Sequence, residues 1–303
     1  MDAAQDRWLE QFTGHLTNER RLSAHTVSNY RRDILALARY CEREGVSAWA
    51  DVDALHVRRF AAAEHRNGLS PRSIQRRLSA IRTFYDYLLR EGEIRNNPAT
   101  DVSAPQAKKR LPKTMDADSM AALLDFGGDE PLAVRDRAIM EMLYSCGLRL
   151  AELIGLDLAA VDLDDRTVRV TGKGDKTRVL PVGRTALEAL RAWLLLRVQL
   201  ARDEETAVFV SKRGTRMSPR SVQSRVAYWA KRQGVDVNVY PHLFRHSFAT
   251  HVLESSGDLR GVQELLGHAN ISTTQVYTHL DFQHLANTYD KAHPRARRKK
   301  RSR

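Results

Sequence analysis

Apolar positions along the first hundred residues recur at helical spacing, and the pattern predicts helices there. After Ser23, the residues Val27, Tyr30, Ile34, Leu37 and Cys41 fall on one helical face, and Gly45 follows as a stop. A second helix opens with Ser70 as N-cap and Pro71 in its first turn, where a missing amide costs nothing. Its apolar stripe is Ile74, Leu78, Ile81, Tyr85 and Leu88, and Gly92 closes it. Arg72, Arg76, Arg77 and Arg82 lie mostly off that stripe. Such a basic face is either simply solvated or laid along a DNA backbone, and the pattern leaves both open.

The periodicity stops at about residue 103, where APQAKKRLPK carries two prolines and a basic cluster that includes Lys108 and Lys109. Proline and the residue before it resist helix, so this stretch reads as an extended linker able to cross a DNA backbone. Beyond it the pattern is mixed. Residues 136–144 read as a helix with Gly147 suited to its C-terminal cap. Residues 167–171 and 177–182 read as two strands of a hairpin, joined by Gly172-Lys173-Gly174-Asp175. Helices are expected at about 184–202, 218–233, 242–255 and 259–266, and Ser272 with Gln275 suggests a capping box opening a short helix that carries Tyr277. The expected fold is mainly α, with a small β-sheet or hairpin in the second of two domains. The domains are an N-terminal helical one over 1–103, a linker over 104–113, a mixed domain over 114–294 and a basic tail over 295–303.

Composition narrows the class. The chain has 303 residues, 42% hydrophobic and 28% charged, enough for two ordinary cores. The formal net charge of +12 favours a polyanionic partner, because neutralising phosphates releases condensed counterions, but charge alone does not settle nucleic acid. Seven of the last nine residues are Arg or Lys, a segment expected to be disordered. Cys41 and Cys146 are the only cysteines, far apart in apolar helical settings, which argues for two buried thiols rather than a disulfide framework or a Cys-based zinc site. The N-terminus MDAAQDRWLEQF lacks an apolar core for a signal peptide, and no apolar run is long enough to span a bilayer. A cytosolic protein without membrane insertion is expected.

Candidate chemistry lies in the second domain. Breaking a phosphodiester with a side chain needs a nucleophile, cations for the equatorial oxygens and an acid for the leaving oxygen. YSCGLRLAELIGL places Arg149 after a helix-ending glycine and Glu152 three residues on. Lys173 sits at the tip of the expected hairpin. In PHLFRHSFATH, His242 and Arg245 share one helical face. His242 and His246 are also spaced for a metal, but no Glu or Cys completes a zinc motif. His268 closes ELLGH, and Tyr277 follows in STTQVYTHL. Alone, each of these is more often a salt-bridged arginine, a turn lysine, a structural histidine or a core aromatic.

Taken in order, the motifs GLRLAEL, GKGDKTR, HLFRHSFATH and LLGHANISTTQVYTH resemble those of the tyrosine recombinases and phage-type integrases, over essentially the whole chain. The stretches LPKTMDADSM, EPLAVRDRAIM and AHPRA resemble the bacterial branch of that family that resolves chromosome dimers. The resemblance implies that Tyr277 attacks the scissile phosphate and becomes linked to the 3′ end. It gives Arg149, Arg245 and His268 the phosphate oxygens, and Lys173 the departing 5′-oxygen. His242 acts either as a base or as a phosphate hydrogen-bonder, and Glu152 orients Arg149. No metal and no cofactor are implied. Arg72, Arg76, Arg77, Lys108 and Lys109 are further DNA-binding candidates. The implied partners are double-stranded DNA at a dif-like site, a XerD-like recombinase in a heterotetramer, and an FtsK-type DNA translocase. Phe282, Leu285 and Tyr289 form a C-terminal stripe that either finishes its own core or, the favoured reading, docks on a neighbouring subunit; with docking, truncation from Asp281 is expected to impair assembly more than folding. A non-cleaving DNA-binding protein and a relaxing topoisomerase are the alternatives. The complete polar set speaks against the first, and the compact helical arm against the second.

Overall fold

A computed structural model describes residues 3–106, 114–172, 177–266 and 292–296. The chain divides into two compact units, Met1–Arg110 and Leu111–Arg303.

Among its described residues the first unit holds four α-helices: α1 (Ala3–Asn18), α2 (Ala24–Arg43), α3 (Ala54–Arg66) and α4 (Pro71–Arg90). The caps lie where the polar signals put them. The hydroxyls of Ser23 and Ser70 accept the amides of Thr26 and Ser73, and Asp53 accepts that of His56. The stripe of α4 is fully inside: Ile74, Leu78, Ile81, Tyr85 and Leu88 are all buried, against Phe12, Ile34 and Leu37. Each such side chain contributes about 1.5–3 kcal/mol on leaving water. Trp49 seals one end, edge-on to Phe84 at 4.9 Å, and its indole N–H donates to the Gln5 carbonyl at 3.1 Å.

The basic face of α4 is only partly free. Arg76 and Arg77 both pair with the fully buried carboxylate of Asp33, and Arg77 also pairs with Glu64. Arg82 donates to the carbonyls of Ala99 and Val102, fixing the chain that leaves this unit. A carboxylate taken out of water requires such partners, so part of this charge serves the core. Arg72 is exposed. Lys108 and Lys109 lie outside the described residues.

The second unit contains α5 (Ala117–Leu124), α6 (Pro131–Ser145), α7 (Leu150–Ile154), β1 (Val161–Asp162), β2 (Thr167–Thr171), β3 (Thr177–Pro181), α8 (Arg184–Arg197), α9 (Pro219–Arg232), α10 (Pro241–Ser256) and α11 (Leu259–Leu266). The strands form one antiparallel sheet in the order β1-β2-β3, with Val168 opposite Leu180 and Val170 opposite Arg178. Its inward positions face the same core as α6, whose Ile139, Met142, Leu143 and Tyr144 are buried. Asp136 on α6 is also buried, and it accepts from Arg135, Arg225 and the Trp229 indole. Among the described residues, no helix is long and apolar enough to cross a membrane.

The structure departs from the sequence expectations at the end of α8 and at Arg295. The helix expected over 184–202 ends at Arg197. Arg197 turns inward to donate to the Ala207 and Glu205 carbonyls at 2.8 and 2.5 Å, and the chain departs so that the Arg202 amide reaches Gly214. Arg295, read as the start of a disordered tail, instead pairs with Glu141, whose side chain has no exposure. Its neighbours Ala292 and His293 are buried, with the His293 ring 4.8 Å from that of Tyr144. Removing everything from Asp281 would therefore strip Ala292 and His293 from the core and unpair a buried carboxylate, which bears on folding itself. The stripe of Phe282, Leu285 and Tyr289 lies outside the described residues. Cys41 and Cys146 are buried free thiols, and burial pushes their pKa values up to about 11 and about 12.

Candidate active site

The GLR turn sets the site. Gly147 follows the end of α6 with φ +58°, the left-handed region that favours glycine. A β-carbon there would also lie 2.5 Å from Cδ1 of Phe248. Glycine thus meets two requirements at once: the chain reverses sharply into α7, and α10 packs directly against the turn. Arg149 then falls at the N-cap of α7. Its side chain is 38% exposed although one guanidinium nitrogen is held by Glu152.

Glu152 is the anchor. Its Oε2 accepts the Arg149 backbone amide at 2.9 Å, and its Oε1 accepts Nη1 of Arg149 at 2.7 Å. Arg178, on an inward position of β3, supplies two more bonds: Nη1 to Oε1 at 2.8 Å and Nη2 to Oε2 at 2.9 Å. Four donors on one buried carboxylate use its lone pairs fully. Burial alone would push the Glu152 carboxyl up; the donors from Arg178 and Arg149 outweigh it, and the net shift is downward.

Arg245 reaches the same place from α10. It is buried, donating from Nη1 to the Gly147 carbonyl at 2.6 Å and from Nη2 to the Leu266 carbonyl at 2.5 Å. Burial, then repulsion from Arg149 and from Arg178, lowers its pKa to about 10 against the pull of Glu152. It remains a cation at neutral pH, but an under-compensated one. Two guanidiniums bond the Glu152 carboxylate and that of Arg245 lies within its electrostatic reach, so the positive surplus suits an anion with several oxygens.

His242 occupies the first turn of α10 and is exposed, with its ring 5.3 Å from that of His246. His251, on the same helix, is committed to the core through a 2.8 Å bond with the Tyr144 hydroxyl. Of the sequence-derived candidates, the structure brings Arg149, Glu152 and Arg245 together. Lys173, His268 and Tyr277 lie outside the described residues. Arg178 was not among the candidates, although a signal existed. It shares the inward phase of β3 with buried Leu180 and sits opposite buried Val170, and an arginine in that phase must have a buried partner.

Residues 113–284 match the Phage integrase family, and residues 9–92 match the Phage integrase, N-terminal SAM-like domain. The chain is 55% identical over 295 residues to tyrosine recombinase XerC of Alcanivorax borkumensis, covering 96% of this chain and 95% of that one. It is 54% identical over 292 residues to tyrosine recombinase XerC of Salmonella typhi, with 96% and 97% covered. Two solved structures share the fold. XerH site-specific recombinase bound to palindromic difH substrate, in a post-cleavage complex, has a TM-score of 0.69 at 22% identity, over 93% of this chain and 84% of that one. A lambda integrase dimer bound to a COC′ core site has a TM-score of 0.70 at 18% identity, over 94% and 77%.

Proposed function

The chain belongs to the phage integrase family of tyrosine recombinases, and from that premise we propose that Tyr277 is the nucleophile and that Arg149 and Arg245 hold the scissile phosphate. The protein is a site-specific recombinase that cuts and rejoins DNA. The observation that carries the role of the arginines is that Arg149, held by Glu152, and Arg245, held on the Gly147 and Leu266 carbonyls, feel each other's charge in one cluster with positive charge left over.

The chemistry follows from the charges. In-line attack by a phenolate oxygen on phosphorus places extra negative charge on the equatorial oxygens, and planar guanidiniums can meet it with paired N–H donors. Attack breaks the bond to the 5′-oxygen, which must gain a proton; Lys173 supplies it. A tyrosine hydroxyl has an ordinary pKa of about 10, so His242 takes up the phenolic proton or hydrogen-bonds a phosphate oxygen, and His268 adds a further donor. The phosphotyrosine bond conserves the energy of the phosphodiester. A new 5′-hydroxyl can therefore attack it and restore DNA without ATP.

The finer reading rests on the motif resemblance and on the curated relatives named XerC. In it the substrate is a dif-like site, the partner is a XerD-like recombinase in a heterotetramer, an FtsK-type translocase acts as regulator, and the work is done in the cytoplasm. The N-terminal helical unit and the 104–113 linker contribute DNA contacts through Arg72, Arg76, Arg77, Lys108 and Lys109. Arg76 and Arg77 do so with only that part of their charge that Asp33 and Glu64 leave over. A nicked duplex carrying a dif sequence, incubated with the protein in chelator, tests the central reading. Wild type should form a covalent protein–DNA band, whereas Tyr277→Phe should bind without forming it. A band that persists in Tyr277→Phe would refute the assignment.

A further inference from the structure

Arg178 bonds at both ends of its guanidinium. Its two Nη atoms hold Glu152, and its Nε donates to the Leu265 carbonyl at 3.2 Å. Leu265 and Leu266 are the last residues of α11, and the end of a helix leaves its final carbonyls without intrahelical partners. Here those two carbonyls are taken by two arginines, Leu265 by Arg178 and Leu266 by Arg245. One rigid plane on β3 thus joins the carboxylate that orients Arg149 to the helix end that Arg245 also grips. The chain leaves α11 from that clamped end and reaches His268 two residues later.

We propose that Arg178 is a positioning residue for the recombinase reaction: it fixes Glu152 against Arg149 and ties the end of α11 to the same frame, so that Arg149 and Arg245 meet the phosphate in one geometry. The inference rests on the reading of Arg149 and Arg245 as phosphate-binding residues. It does not give Arg178 contact with the substrate; all three of its nitrogens are used inside the protein, and it is buried. Lysine could restore a charge beside Glu152 but not the planar fork that reaches two oxygens and a carbonyl together. Methionine would fill the space and leave both Glu152 and the Leu265 carbonyl short of donors.

Single-turnover cleavage on saturating nicked dif duplex, with the full-length chain, reads this directly. Two duplexes are compared, one with a normal scissile phosphate and one with a neutral methylphosphonate at that position, which asks less of the arginines. A displaced reactive group commonly costs about 100-fold, so Arg178→Met should cleave the normal duplex about 100-fold more slowly with DNA affinity retained. On the methylphosphonate duplex its deficit should shrink to about 10-fold or less, because less charge needs stabilising. Arg178→Lys should fall between the two and show the same shrinkage, and it carries the test if the methionine variant does not fold. Glu152→Gln/Arg178→Met should lose clearly less than the product of the two single deficits, since the contact they share can be lost only once and the Leu265 tie accounts for what the second change adds. Equal deficits on both duplexes, or deficits that multiply in the double variant, would overturn the proposal and leave Arg178 a stabilising residue only. Arg149→Ala separates the two levels. If it cleaves normally, the reading of the arginines fails; if it is inactive while Arg178→Lys and Arg178→Met match wild type, only the positioning role fails.

Discussion

Replacing Arg295 by alanine should destabilise the second unit by about 3 kcal/mol, the lower end of what breaking a buried ion pair costs. Glu141 has no exposed side-chain surface and Arg295 only 15%, so water can do little to replace the lost cation. Two bonds are lost at once, one to each carboxylate oxygen, including Nε to Oε2 at 3.2 Å. For a unit of this size 1 kcal/mol moves the midpoint by roughly 2–4 °C, so calorimetry should show a fall of roughly 6–12 °C. The transition of the N-terminal unit should stay in place. The deficit should also depend on pH. Burial raises the Glu141 carboxyl even with Arg295 present, and without it the rise is larger. A raised carboxyl favours the folded state below its unfolded value and loses that support as pH climbs through the folded one. The gap between variant and wild type should therefore narrow as pH is lowered from 7 towards 5. Replacing both partners, as Glu141→Gln/Arg295→Met, should recover most of the loss. An Arg295→Ala protein melting within a degree of wild type would refute the idea that this C-terminal segment is built into the core.

Gly147→Ala should cost at least about 1–3 kcal/mol by the strain of a left-handed backbone alone, and its new methyl would meet the Phe248 ring; calorimetry and cleavage assays should fall together, and an unchanged midpoint contradicts the close packing. Glu152 titrates in the opposite sense to Glu141. Its folded pKa lies below the ordinary 4.5, so its stabilisation is present above that value and is lost as pH falls through the folded one. Urea unfolding of wild type and Glu152→Gln should accordingly converge below pH 4.5, and a gap that stays constant into acid would count against the donor-saturated carboxylate.

Local rules carried much of the fold. The serine caps and stripes of α2 and α4 were legible because a helix advertises its buried face within twenty residues and its start with one hydroxyl. The β2–β3 pair was legible from its alternation and glycine-rich turn. Two-residue β1 is too short to carry a pattern, and α8 ends where a tertiary contact of Arg197 overrides helix propensity. Long-range charge pairing was the main blind spot. Asp33 meets arginines 43 and 44 positions away, and Glu141 meets one 154 away, distances at which no periodicity speaks. The site divides in the same way. Arg149, Glu152 and Arg245 were found because motif order marked them, whereas Arg178 needed the sheet register to show that it points inward.

The most direct measurement is to locate the covalent bond. Wild-type protein trapped on a nicked dif duplex can be digested with nuclease and protease and the adducted peptide fragmented by mass spectrometry. A single nucleotide-bearing peptide is expected, with the phosphate on Tyr277. An adduct on any other residue, or a cleaved duplex with no adduct at all, would contradict it.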